Sequence, residues 1–283
     1  MGGFAKLKNF VEAISDEGKQ RISGFRKVPT QSFISGLWAD LSMSSGNPVP
    51  NYYASTPLTS AVLDGSKGLL HGGAVGGWKH LKELTAVYSS AAGTPMRLML
   101  CDYLLYYPFC DQSAGVQDLI QDATLPRYQD GVGVQCIPVL VAAQSVGGTA
   151  IQIEYTNDRG ESGRLSDTII LTLAAAPQGT IATSFTTSAA GPFMPLQKGD
   201  KGIRSIERVN FPISDTGLVA LVLVKPLADL VLQNNTAPTE IDFLRDRPSL
   251  PRIYDGAYLN LLACPMGSMA SQTLMGTLTT CWS

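Results

Sequence analysis

The chain has 283 residues, enough for one large domain or two modest ones, and 16% of them are charged against 45% hydrophobic. A net charge of −2 leaves no global basic field to gather nucleic acid. So sparse a charged surface fits a protein that buries much of itself against partner subunits, because interface cores are poor in charge and rich in aromatics and Met.

Residues 4–27 read as a helix, with Phe4, Leu7, Phe10, Val11 and Ile14 at spacings of three and four on one face, broken at Gly18 and Gly24 and ended by Pro29. This start carries Lys6, Lys8, Lys19, Arg21, Arg26 and Lys27 against Glu12, Asp16 and Glu17, so residues 1–28 are +3 and the rest is −5. It reads as a solvated helix face, or as an arm docking on an acidic partner or on packaged nucleic acid; nucleic-acid contact is expected nowhere else.

Residues 30–95 are rich in Ser, Gly, Pro, Tyr and Thr with few charges; within them Leu41–Tyr53 has no helical or strand period, and Asn47-Pro48 and Pro50 force extended or turn backbone. Trp38, Tyr52, Tyr53 and Trp78 on such a segment predict an ordered arm laid across a surface, with a short helix near Trp78–Tyr88. From Thr94 the pattern turns to β. Strands are predicted at Met96–Phe109 (bent at Pro108), Val134–Ala143, Thr149–Tyr155, Arg164–Leu173, Gly202–Ile213 (with a bulge near Ile206), Leu218–Val224, Tyr254–Ala263 and Gln272–Trp282. Thr156–Gly163 is hairpin chemistry and Ser214–Gly217 a second turn. The expected fold is mainly β: a β-sandwich or jelly-roll body at 94–283, an N-terminal helical arm at 1–35 and an extended arm at 36–93.

Chemistry-bearing patterns are sparse. Cys101, Cys110, Cys136, Cys264 and Cys281 form no Cys-x-x-Cys pair, so free buried thiols of a reducing compartment are expected. The first apolar stretch is broken by Lys6, Lys8 and Glu12, so no signal peptide is read; the uncharged run Cys136–Ile153 holds Pro138 and Gly147-Gly148 and reads as two strands and a turn, not a membrane span. His71 and His80 do not have the spacing of a helical zinc motif, and His71 in Leu70-His-Gly-Gly73 suits a turn residue capping backbone groups. No Gly-x-Ser-x-Gly elbow or complete phosphate loop occurs. Asp102, Asp111, Asp118, Asp122, Glu154 and Glu161 are the acids available for glycoside hydrolysis, though Asp-rich solvated loops are the ordinary reading. Asn157, Asp158 and Glu161 put oxygen ligands on one turn without the EF-hand pattern. The run Tyr103–Tyr107 is a candidate sugar platform, with core packing favoured by strand alternation. No enzyme activity, cofactor or metal is expected.

The string Gly36–Leu58 with Leu69-Leu-His-Gly-Gly73 resembles structural proteins of tailed-bacteriophage virions, and Ile153–Arg164 resembles Tyr-Thr-Asn-x-x-Gly hairpins of virion β-proteins. The resemblance implies a head-associated role in the virion, assembled in the host cytoplasm, as a capsid decoration, cement or minor shell protein. The charged extended loop and long spine helix of tailed-phage major capsid proteins are missing from the sequence, which favours an accessory part. The expected partners are other copies of the chain and the major capsid protein, with no membrane and no small-molecule substrate. Phe4, Leu7, Phe10, Trp38, Tyr52 and Tyr53 are the expected interface residues. The alternative is a carbohydrate-binding, receptor-binding or glycan-hydrolysing virion protein.

Overall fold

A computed structural model describes residues 3–144, 147, 149–171, 176–185, 191–247 and 249–283. Along the chain come α1 (Leu7–Ser15), β1 (Gln20–Val28), β2 (Ala39–Asp40), β3 (Ser45–Asn47), β4 (Ala61–Val62), β5 (Lys79–Tyr88), β6 (Met96–Asp111), β7 (Val116–Asp118) and β8 (Gln135–Ala142). Then follow β9 (Thr149–Asn157), β10 (Arg164–Leu165), β11 (Ile169–Leu171), β12 (Ile203–Asn210), β13 (Leu218–Leu232), β14 (Thr239–Asp242), β15 (Arg252–Ile253), β16 (Tyr258–Pro265) and β17 (Leu274–Trp282). The fold is mainly β with antiparallel pairing between the named strands, as the strand and turn spacing predicts.

Three sheets form. The central one runs β2-β16-β6-β13-β8, with β4 added beside β6. Its long strands β6 and β13 carry two cores on one face. At one end Leu98, Leu100, Leu230 and Leu232 pack against Leu81, Leu84, Tyr88 and Leu278 of the sheet β14-β5-β17-β1-β3. At the other end Leu104, Tyr107, Leu221 and Leu223 pack against Ile151, Ile153, Ile206 and Val209 of the sheet β10-β9-β12-β7. Each fully buried aliphatic side chain contributes roughly 1.5–3 kcal/mol of transfer free energy. Val219–Val224 is wholly buried, because alternate residues serve the two faces.

The opposite face of the central sheet is covered by the irregular segment. Trp38, Met43, Tyr53 and Leu63 pack on Met99, Tyr103, Tyr106, Val139 and Val222. The expected arm is therefore ordered and laid on a surface, but the surface belongs to its own chain.

Four expectations are corrected. The helix at 4–27 ends at Ser15, and Gln20–Val28 is instead a strand between β17 and β3. Gly18 sits at φ 62°, which turns the backbone out of the helix, and Ser23, Phe25 and Lys27 are then buried at a period of two. Within α1 the buried residues are Phe10 and Ala13, so Leu7 and Val11 face outward rather than sharing the packed face. The short helix near Trp78–Tyr88 is strand β5, with Leu84, Ala86 and Tyr88 buried in alternation. The boundary at residue 94 does not separate arm from body, because β1 and β5 both pair with β17.

Local irregularities follow the sequence. The bend at Pro108 is a bulge: Pro108 and Phe109 together oppose Ala220, and Phe109 takes a left-handed φ of 58°. A register shift between Ile206 and Arg208 matches the slip expected near Ile206. Residues 172 and 173 of the predicted strand at 164–173, and Gly148 of the predicted turn, lie outside the described residues.

Candidate functional site

A cleft of about 360 Å³ is walled by Arg21, Asp64, Ser66, His71 and Asp255. Its floor is set by chain approach: a Cβ on Gly68 would lie 2.7 Å from the Leu259 amide nitrogen, so only glycine lets residues 68–73 pass over β16. His71 Nε2 is 3.0 Å from the Ala257 carbonyl and therefore donates to it, which leaves Nδ1 as the acceptor for Lys79 Nζ at 3.2 Å. Lys79 also donates to the Gly73 carbonyl at 2.8 Å and pairs with Asp255 at 2.9 Å. All three ammonium hydrogens thus have acceptors, in a side chain with no solvent exposure.

Burial, then the Lys79 charge, pushes the His71 imidazole down to about 4, so the ring is neutral at neutral pH. Burial alone would raise Asp255, but the hydrogen bond and charge of Lys79 outweigh it and hold the carboxyl below its usual range. The base that could have worked in this cleft is capped by an ammonium, and the ammonium is held by a carboxylate. The arrangement fastens the Leu70–Gly73 turn to the 255–257 turn between β15 and β16.

Other ionic groups are tied in the same way. Asp102 takes a two-pronged bond from Arg127 at 2.8 and 2.7 Å and a third from the Tyr258 amide at 3.1 Å. It lies between the two cores, and burial raises it to about 6 against the opposing pull of Arg127. Asp40, on the arm itself, is fully buried and accepts from Tyr53 (2.5 Å), Tyr103 (2.7 Å) and Ser42, with burial raising its pKa. Lys27 donates to the Ser44 and Pro48 carbonyls, and burial lowers it to about 8. Asp200 gathers Arg159, Arg164, Tyr155 and Asn157; burial opposes these contacts, yet they bring it down to about 2.

Four of the acids considered for glycoside hydrolysis are engaged by neighbouring groups. Asp118 and Glu154 share Arg208, Asp111 caps Ser113, and Glu161 bonds Arg159 and Asn157. Among the described residues no three His, Cys, Asp or Glu side chains converge as a metal site. Tyr103 and Tyr107 are wholly buried and Tyr106 nearly so, which is the core packing that strand alternation favoured.

Of the expected interface residues, Trp38, Tyr53 and Phe10 are buried within their own chain. Phe4 stacks edge-on with Phe10 at 5.1 Å. Leu7 (70% exposed) and Tyr52 (52%) remain open. Trp38 and Tyr53 cannot anchor a neighbouring chain from these positions without opening the arm, because the central sheet has already taken them. Lys79, Asp255, Arg127 and Arg252 went unread in the sequence; each meets at least one partner far from it along the chain.

No known family model matches the chain, and no curated protein matches it. Among solved structures, the VP2 subviral particle of infectious bursal disease virus aligns at 8% identity over 97% of this chain and 86% of that one, with a TM-score of 0.17. A superposition at that level carries no argument about fold or function.

Proposed function

We propose that the chain is a non-enzymatic structural subunit of a virus particle, namely a head-associated decoration, cement or minor capsid protein of a tailed bacteriophage. It acts through contacts with its own copies and with the major capsid protein. The observation that carries this reading is the outer side of α1. Phe10 and Ala13 hold the helix to the body, while Leu7 and Val11, one turn apart, stand 70% and 51% exposed. Apolar residues turned to solvent on an anchored helix fit a surface made for a partner. A charged fraction of 16% and the likeness of Gly36–Leu58 to phage structural proteins support the same reading, as do the internally saturated His71, Lys79 and Asp255.

The test is incorporation of L7S/V11S full-length protein into particles. Fewer copies per particle with an unchanged unfolding temperature is the expected result. Normal incorporation of that variant overturns the reading. Removing residues 1–35 is not a usable test, because β1 lies between β17 and β3 and would be lost.

A further inference from the structure

We propose that Arg252 is the anion-binding centre of a surface site for acidic saccharides, with Trp78 as its stacking wall. The register Arg252↔His80 between β15 and β5 sets Arg252 beside Trp78, which immediately precedes β5, and Tyr254 follows two residues on. The guanidinium carbon lies 3.9 Å from the Trp78 ring centre and 4.1 Å from that of Tyr254. Tyr254 is braced edge-on by Tyr128 at 5.0 Å, and the Tyr128 hydroxyl donates to the Arg252 carbonyl at 3.4 Å.

Two rings therefore hold the guanidinium carbon at contact distance without using its N–H rim. Among the described residues that rim has no hydrogen-bond or ion-pair partner. A stacked guanidinium is already ordered, so a ligand recovers in-plane, charge-assisted bonds at little further entropic cost. Its planar fork matches a carboxylate, which it can hold with two parallel bonds. Beside it Trp78 keeps 40% of its surface exposed, an apolar wall suited to the C–H face of a pyranose. A carboxylate carried on a sugar ring uses both features. A polyphosphate offers no C–H face for Trp78 to cover. The proposal does not rest on Leu7 or Val11, so it stands or falls separately from particle assembly.

The test is isothermal titration of the full-length protein with a short oligogalacturonate, a neutral galacto-oligosaccharide and single-stranded oligothymidylate. Binding of the uronate alone is expected, lost in R252Q and weakened by W78A. In R252K, where a cation remains but the planar fork does not, affinity is expected to fall about tenfold, as loss of a charge-assisted bond implies. Unfolding temperatures recorded in parallel separate lost binding from lost fold, and R252K serves if R252Q does not fold. No uronate binding, equal binding of the neutral sugar, undiminished binding by R252Q and R252K, or preference for the oligonucleotide would each overturn the proposal.

Discussion

Asp102 on β6 and Lys225 on β13 are direct cross-strand partners, yet their charges go to different groups: Asp102 to Arg127, and Lys225 to the Val132 carbonyl at 2.8 Å. Both side chains stand at the seam between the two cores of the central sheet. The loop carrying Arg127 and Val132 is consequently fastened at two points to adjacent strands. A planar guanidinium satisfies both oxygens of a buried carboxylate, which a single ammonium cannot do as well.

Breaking this pair from one side should cost far more than removing it. R127M leaves Asp102 buried without its counter-ion, and a loss of about 3–5 kcal/mol is expected. The double variant D102L/R127M removes both charges and should recover much of that loss. Urea unfolding of the single and double variants measures the coupling. Additive losses would show that the two residues do not act as a unit.

The strands from β6 onward were legible where period-two burial and turn chemistry coincide, as in Ile151, Ile153 and Tyr155 before the Asn157–Gly163 hairpin. Strands β1 and β5 were not, because their partner β17 lies at the far end of the chain and leaves no local trace. Phe25 illustrates this: it packs over Gly276, where a Cβ would lie 2.6 Å from the ring, a fit invisible without the pairing. The role of His71 as a backbone cap was readable from its Gly-rich turn, whereas Lys79 and Asp255 meet only through the β5–β15 register.

The arm should behave as part of the fold. Trp38→Ala is expected to cost roughly 3–5 kcal/mol, the range for removing a buried aromatic. Tyr53→Phe deletes one donor to the buried Asp40 and should cost about 1–3 kcal/mol. Chemical denaturation reads both. A Trp38→Ala protein of unchanged stability that failed only in particle assembly would return this residue to an intersubunit contact.

The five cysteines are all buried and unpaired by disulfides, and burial pushes Cys110 and Cys281 up to about 12. Thiolate is the reactive form, so native protein should react slowly with a thiol reagent and all five should react once unfolded. A native thiol reacting as fast as free cysteine would mean that its strand opens readily.

His71 should make stability depend on pH in a defined direction. Its folded value is about 4, below the ordinary 6.5 it regains on unfolding. Between those values the unfolded chain binds the proton and the folded one does not, so acidification favours unfolding. The contribution is fully present above about 6.5 and lost as pH falls to about 4, amounting to roughly 3 kcal/mol over the window. Asp102, raised to about 6, acts oppositely over part of this range, since protonation of its folded form favours the fold as pH falls. The two are separated by His71→Gln, which has no titrating ring but retains an amide able to donate to Ala257 and accept from Lys79. Between pH 7 and 4 the urea midpoint of the variant should therefore shift upward relative to that of the unaltered protein, because only the latter loses the His71 contribution. Identical pH profiles would mean that His71 titrates in the fold as it does in the unfolded chain, so that neither burial nor Lys79 shifts its ring.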